Sequence, residues 1–168
     1  CMGNICRSPT AEGVLHAIQK RHVPDLKLRV DSAGTHARYH LGEQPDLRSQ
    51  HAAKLRGYDI SGHRARMVTL EDFELFDFVL AMDTENLSQL KRMRSGSGRA
   101  ELGLLLDFAA HSGYRSVPDP YMGGPAGFEQ VLDLVEEGVC GLLRSLCDRQ
   151  GLVFPDSVSG ILKANARR

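Results

Sequence analysis

The first eight residues of the chain carry side chains that together could attack a phosphate ester. Cys1 is separated by five residues from Arg7, and Ser8 follows directly. A cysteine thiolate is a strong nucleophile, and it forms more readily beside cations and helix N-termini. The planar guanidinium of arginine binds two phosphoryl oxygens at once, which lysine cannot do. This spacing predicts a loop that binds a phosphoryl group and presents the Cys1 sulfur to its phosphorus.

The residues around this pair predict a loop that leads into a helix. Gly3 permits a tight turn, and Asn4 tolerates a left-handed backbone. Ser8 can cap a helix, and Pro9 suits the first helical position. The N-terminal amides and the dipole of such a helix favour a bound anion. A Walker-type nucleotide loop is excluded, because no Gly-Lys-Ser/Thr sequence follows.

Hydrophobic patterning predicts helices and strands that alternate along the chain. We expect helices over 10–20, 45–56, 84–93 and 128–146, a short helix within 67–76, and strands over 26–30, 78–82 and 102–106. This order predicts an α/β fold with an open parallel sheet and helices on both faces. The loops that begin at Cys1, Ser32, Asp83 and Asp107 should meet at the carboxyl edge of the sheet, where ligands bind in such folds.

Length and composition are those of a globular domain. A chain of 168 residues can bury a sizeable core, and its 21 basic and 21 acidic residues cancel in formal charge. This balance argues against a nucleic-acid partner held by a basic face. No stretch approaches the roughly 18 apolar residues of a membrane span, so no membrane partner is expected. A working thiolate needs a reducing compartment, which predicts a cytoplasmic location. Among the other cysteines, we expect Cys140 and Cys147 to be buried on one helix.

Several motifs, in order, resemble those of the low-molecular-weight protein tyrosine phosphatases. They are CMGNICRSPTAE at 1–12, VDSAGT at 30–35, GEQPD at 42–46, HRAR at 63–66, the segment 77–83 and VPDPY at 117–121. The resemblance covers the chain to about residue 150. It implies one phosphatase domain over 1–150, a flavodoxin-like three-layer sandwich, and a C-terminal tail over 151–168 that need not be ordered.

The resemblance assigns three catalytic roles. Cys1 is expected to be the nucleophile that forms a phosphocysteine intermediate, and Arg7 to bind the phosphoryl oxygens. Asp119, between two prolines, is expected to protonate the leaving oxygen and then to act as a base toward water. The implied activity is that of a protein-tyrosine-phosphatase, a hydrolase acting on protein phosphotyrosine and small aryl phosphates. No cofactor and no metal are implied.

The resemblance also assigns residues that bind substrate or support the loop. Ser32 and His63 are expected to hold the loop by hydrogen bonds with Asn4. Ile5 favours phosphotyrosine, because relatives that act on phosphoarginine carry threonine there. Cys6 is open to two interpretations, a partner for a reversible disulfide with Cys1 or a small apolar residue packed beneath the loop. The expected substrate-binding residues are Met2, Gly3, Asn4, Ile5, Cys6, Ser8, Tyr39 and Tyr121.

Partners and alternative functions follow from the same pattern. The expected partner is a tyrosine-phosphorylated protein, with a bacterial tyrosine kinase as one example, and the expected state is a monomer or a weak homodimer. One alternative is a thioredoxin-coupled arsenate reductase on the same fold, which would need two more cysteines near the middle of the chain. None occurs between Arg7 and Val139. Another alternative is an inactive phospho-binding module.

The resemblance further implies an apolar strand before the catalytic cysteine, and this chain begins at Cys1. We expect the first central strand of the sheet to be missing from this chain. It would lie between the strands at 26–30 and 78–82, and a chain without it should be poorly folded or inactive. If instead Cys1 is a true N-terminus, its amino group is expected to add a cation beside the thiolate.

Overall fold

A computed structural model describes residues 1–94, 96 and 98–158 of the chain. Short 3-10 helices cover Ala37–His40 and Leu105–Phe108. No helix in the described part of the chain is long and apolar enough to cross a membrane. The main elements are the helices α1 (Arg7–His22), α2 (Leu47–Leu55), α3 (Asp72–Leu75), α4 (Thr84–Met93) and α5 (Pro125–Gln150), and the strands β1 (Phe78–Ala81) and β2 (Glu101–Leu104).

The two strands pair in parallel, with Phe78 opposite Glu101 and Ala81 opposite Leu104. Successive side chains of a strand point to opposite faces of the sheet. Leu80 therefore packs in the larger core with α1 and α5, whereas Ala81 packs in a second core with α3 and α4. Helices cover both faces of this parallel sheet, which confirms the predicted α/β fold class.

The end of α2 is fastened to α5 by a cluster of buried charge. Glu136 is 1% exposed and accepts hydrogen bonds from Tyr58 Oη (2.8 Å) and Arg56 Nη1 (3.0 Å). Burial raises the pKa of Glu136, although the bonds from Tyr58 and Arg56 act to lower it. Arg56 also pairs with Glu129 and Asp133 on the same helix. Because removing one partner would leave an uncompensated buried charge, this cluster fixes how α2 sits on α5.

The strongest sequence patterns match the structure closely. The helix predicted at 84–93 is α4, and the strand predicted at 78–82 is β1. The strand predicted at 102–106 ends earlier, because Asp107 turns the chain by accepting a hydrogen bond from Leu104 N (2.9 Å). Cys140 and Cys147 are both buried on α5, as expected.

The prediction of a strand at 26–30 is wrong, because that segment has no regular secondary structure here. A groove of about 350 Å³ separates residues 27–33 from β1, so among the described residues no strand backbone pairs with 26–30. The strand expected to precede Cys1 stays a prediction. Among the apolar side chains that line the groove are Leu28, Val30, Leu80, Val139, Leu142 and Leu146.

The chain after α5 packs back onto the molecule. Gly151 ends the helix with a left-handed backbone (φ 68°). Phe154 and Val158 are then 7% and 2% exposed within the larger core. The tail is therefore packed against the core as far as Val158, because these side chains bury apolar surface. Residues 159–168 lie outside the described part of the chain.

A glycine on α5 allows the helix to approach the 3-10 helix Leu105–Phe108. A Cβ on Gly141 would overlap the carbonyl oxygen of Phe108. We expect Gly141→Ala to lower the free energy of unfolding by about 1–3 kcal/mol through overpacking, despite the better helix propensity of alanine. Urea unfolding measures the change. The matched control is Gly127→Ala in the same helix, where the nearest atom lies at 3.6 Å and no loss is expected. Equal effects of the two substitutions would contradict the prediction.

Candidate active site

The segment from Cys1 to Ser8 forms a loop that enters α1 at Arg7. Asn4 adopts the left-handed backbone that the sequence predicts, with φ 57°. Its backbone N–H donates to Cys1 Sγ (3.3 Å), and Ser8 Oγ lies 2.9 Å from the same sulfur. In the described part of the chain, no side chain caps the first turn of α1. The loop thus gathers hydrogen-bond donors around one sulfur atom.

The side chain of Asn4 is the centre of the hydrogen bonds behind this loop, and it is fully buried. Its Oδ1 accepts from the backbone N–H of Arg66 (2.9 Å), which can only donate, so the orientation of the amide is fixed. Nδ2 therefore donates to Ser8 Oγ (2.9 Å) and Ser32 Oγ (3.0 Å). Because Ser8 Oγ already accepts this bond, its own proton is free to point to Cys1 Sγ. The sulfur then accepts two hydrogen bonds, which suits a thiolate.

Glu12 completes this network and was not singled out from the sequence. Its Oε2 accepts from Ser32 Oγ (2.7 Å) and lies 3.1 Å from His63 Nδ1. The other ring nitrogen of His63 lies 3.1 Å from Asn4 Oδ1. Both ring nitrogens of His63 therefore face oxygen atoms of this network. The available sequence signal was the position of Glu12, one helical turn after Ser8 on the same side of α1.

The contacts with His63 and Ser32 lower the pKa of the Glu12 carboxyl. Burial alone would raise the pKa of its carboxyl, but the hydrogen bonds from His63 and Ser32 outweigh burial and hold the pKa below its usual range. The expected supporting residues, Ser32 and His63, are therefore brought together around Asn4 by one carboxylate.

Arg7 is 3% exposed and joins the loop to the end of the sheet. Its Nη1 donates to Asp83 Oδ2 (2.6 Å) and to the carbonyl oxygen of Val117 (3.0 Å). Asp83 lies two residues after the end of β1, and Val117 N donates to the intervening Met82 O (2.7 Å). The carboxyl edge of β1 therefore holds both the guanidinium and the segment that follows Val117. Asp83 was expected at this edge but was not recognised as a partner of Arg7.

Asp119 lies against the same guanidinium. Its Oδ2 accepts from Arg7 Nη2 (3.2 Å), and its Oδ1 accepts from the backbone N–H of Tyr121 (3.2 Å). Tyr121 is half-exposed at the rim, and Met122 beside it is 92% exposed. Tyr39 is 89% exposed and makes no hydrogen bond or ring contact with the described residues. Of the two expected aromatic walls, only Tyr121 is tied to the site.

Other expected substrate-binding residues take different positions. Met2 is half-exposed at the mouth, and the ring of His40 lies over Gly3, 3.3 Å from where a Cβ would be. The side chains of Ile5 and Cys6 point into the core, so these two residues contribute only backbone atoms to the inner surface of the loop. Burial raises the pKa of the Cys6 thiol to about 11, although a hydrogen bond with Ser49 acts to lower it. This favours the interpretation of Cys6 as a small apolar residue beneath the loop.

The segment after Asp31 supports the start of the loop. Thr35 N donates to Cys1 O (2.9 Å), and the amino group of Cys1 donates to Ala33 O (3.3 Å). Between them, a Cβ on Gly34 would lie 2.5 Å from Met2 O, so only glycine fits. Burial, followed by the charge of Arg7, lowers the pKa of this amino group to about 5. This lowered pKa argues against the expectation of an added cation beside the thiolate.

Together the fold and the loop define an α/β protein with a cysteine, a buried arginine and hydrogen-bond donors gathered at the carboxyl edge of a parallel sheet. A model of the low molecular weight phosphotyrosine protein phosphatase family matches residues 1–151. The chain is 36% identical over 146 residues to the low molecular weight protein-tyrosine-phosphatase YfkJ of Bacillus subtilis (strain 168), a match that covers 87% of this chain and 92% of that protein. It is 39% identical over 133 residues to the low molecular weight phosphotyrosine protein phosphatase of Homo sapiens, a match that covers 78% of this chain and 82% of that protein.

A solved structure shows the same fold. The protein tyrosine phosphatase from Entamoeba histolytica superposes with a TM-score of 0.84 at 37% identity, over 89% of this chain and 95% of that one. The chain therefore belongs to the low molecular weight phosphotyrosine protein phosphatase family. It is an enzyme of the protein-tyrosine-phosphatase class.

The carboxylate of Glu12 should make the stability of the protein depend on pH. Its pKa is lower in the folded chain than the ordinary 4.5, so its contribution is present above pH 4.5 and is lost as pH falls through the folded value. We expect Glu12→Gln to lower the free energy of unfolding at pH 7 by about 1–3 kcal/mol, through weakened hydrogen bonds to His63 and Ser32. The difference from wild type should shrink at pH 3.

Urea unfolding at pH 7 and pH 3 checks this dependence. The control is Glu71→Gln, which changes an exposed carboxylate away from the loop and should leave stability unchanged. A Glu12→Gln difference that stays constant between the two pH values would contradict the assigned pKa direction.

Proposed function

We propose that the chain hydrolyses phosphotyrosine in proteins, and small aryl phosphates, through a phosphocysteine intermediate on Cys1. The observation that carries this proposal is the direction of the hydrogen bonds at the Cys1 sulfur, which accepts from Asn4 N–H and is positioned to accept from Ser8 O–H. Arg7 lies behind the same loop, with Asp119 on its guanidinium. A nucleophile, an anion-binding fork and an acid–base group therefore share one site.

In the first step, the Cys1 thiolate attacks phosphorus opposite the aryl oxygen. The S–P bond forms and the P–O bond to the aryl group breaks. Arg7 binds two phosphoryl oxygens, which compete with the Asp119 carboxylate for Nη2. Asp119, in its protonated form, gives its proton to the leaving aryl oxygen.

In the second step, water attacks the phosphorus of phosphocysteine. The Asp119 carboxylate takes a proton from that water, the new P–O bond forms, and the P–S bond breaks. The electron pair returns to the Cys1 sulfur, where the Ser8 hydroxyl and the Asn4 amide stabilise the thiolate. Inorganic phosphate leaves, and the enzyme returns to its starting state.

The shape of the mouth supports an aryl ester as the substrate. Tyr121 offers a half-exposed ring beside Asp119, and aromatic rings stack favourably. The resemblance also associates isoleucine at position 5 with phosphotyrosine, although the Ile5 side chain lies in the core and does not line the mouth.

An arsenate reductase remains the alternative to be tested. That reaction passes oxidation from the first cysteine to further thiols. Burial raises the pKa of Cys140 to about 12 and that of Cys6 to about 11, so neither is prepared to attack a sulfur or arsenic atom. The raised pKa values of these thiols favour the phosphatase over the reductase.

The biological setting is also a proposal. We assign the chain to the cytoplasm, where a thiolate stays reduced, and to tyrosine-phosphorylated proteins as substrates, a bacterial tyrosine kinase among them. A monomer or a weak homodimer suffices for this role, because the residues of the proposed mechanism all come from one chain. We assign 1–150 as the phosphatase domain and 151–168 as a C-terminal segment.

Asp119→Ala should separate substrates by their leaving groups. We expect kcat/KM for phenyl phosphate to fall by about 10²–10⁴, because phenolate leaves poorly without a proton. The loss should be much smaller for p-nitrophenyl phosphate, whose leaving group needs no proton. The control is Asp77→Ala, an exposed aspartate whose loss should leave both rates unchanged. Equal losses for the two esters would contradict the role of Asp119, and arsenate turnover with inert esters would favour the reductase.

A further inference from the structure

We propose that Arg48 is a positioning residue that holds the Tyr121 ring at the mouth of the site and thereby sets the preference for ligands that carry an aryl ring. The inference rests on the proposed function, in which Tyr121 forms a wall for the aryl group. Arg48 itself contacts neither phosphate nor the reacting atoms in this account. Its effect passes through one aromatic ring.

The guanidinium of Arg48 lies between two aromatic rings. Its Cζ is 4.8 Å from the centre of the Phe128 ring and 5.4 Å from the centre of the Tyr121 ring. Phe128 is 3% exposed on α5, whereas Tyr121 is 45% exposed at the rim. A cation within about 6 Å of a ring centre is attracted to the face of that ring. Arg48 thus joins an exposed ring to one that the core holds still.

Asp46 fixes the plane of this guanidinium. Arg48 Nε and Nη2 donate to the two carboxylate oxygens of Asp46 at 3.0 and 2.8 Å, and Arg48 N donates to Oδ1 at 2.8 Å. Hydrogen bonds from Arg48 are the largest cause of the lowered pKa of Asp46. In turn, Asp46 N donates to Ile5 O at 2.8 Å. Asp46 therefore links the side chain of Arg48 to the backbone of the loop that runs from Cys1 to Ser8.

The backbone and the ring of Tyr121 are held by different groups. The backbone N–H bonds to Asp119, and the ring faces Arg48. Changing Arg48 should therefore loosen the ring and leave Asp119 and the loop in place. Lysine cannot replace this function fully, because it lacks the planar fork that pairs with Asp46 and stacks between rings.

The test compares two ligands that share phosphate chemistry and differ in the ring. Binding of inorganic phosphate and of benzylphosphonate is measured by calorimetry on wild type, Arg48→Met and Arg48→Lys. We expect benzylphosphonate to bind Arg48→Met roughly five-fold to ten-fold more weakly, and Arg48→Lys to show a smaller loss. Phosphate should bind all three proteins equally. With Tyr121→Ala as the background, Arg48→Met should cause no further loss of benzylphosphonate binding.

Arg29→Met is the matched control, because the Arg29 guanidinium also lies over a ring, that of Phe76, at 5.3 Å but away from the loop. It should leave both affinities unchanged. Parallel loss of both ligands in Arg48→Met would overturn the inference, since Arg48 would then act on the loop. Unchanged benzylphosphonate binding, or a full further loss in the Tyr121→Ala background, would also overturn it. If wild type bound neither ligand, the proposed function itself would fail.

Discussion

The side-chain amide of Asn4 is the contact on which the site depends. The backbone N–H of Arg66 fixes which end of the amide accepts, and this choice sets the direction of the hydrogen bonds on its other side. Asn4 Nδ2 must donate to Ser8, and the Ser8 proton is then directed to Cys1. A neutral buried amide thus makes a sulfur atom an acceptor. Asn4 can do this only with the left-handed backbone that it adopts in the loop.

Carboxylates contact the loop and its supporting residues in two places. Arg7 is buried between Asp83 and Asp119, which come from segments at the end of β1. On the other side, Glu12 faces His63 and Ser32. A buried cation is stable only with close partners, so Asp83 and Asp119 hold Arg7 in place.

Much of this arrangement could be predicted from the sequence, because the chemistry of the loop is local. Cys1, Arg7 and Ser8 lie close together in the segment that leads into a helix, whereas the role of Asp119 is implied by the family resemblance. The contacts of Glu12 could not be read with the same certainty, because they depend on tertiary packing between α1 and the segment around His63. The prediction of a strand at 26–30 is wrong for a similar reason. Alternating apolar residues indicate which side chains would share one face of a sheet, but a strand also needs a neighbouring strand for its hydrogen bonds.

The central claim is that the hydrogen bonds set by Asn4 keep the Cys1 sulfur as a thiolate. Its most direct test is the rate at which iodoacetamide alkylates Cys1 between pH 5 and pH 9 in wild type and in Asn4→Ala, with the alkylated residue identified by mass spectrometry. The account predicts fast alkylation of wild type at pH 6, and a rate at least several-fold slower in Asn4→Ala that recovers as pH rises. Identical pH profiles for the two proteins would contradict it.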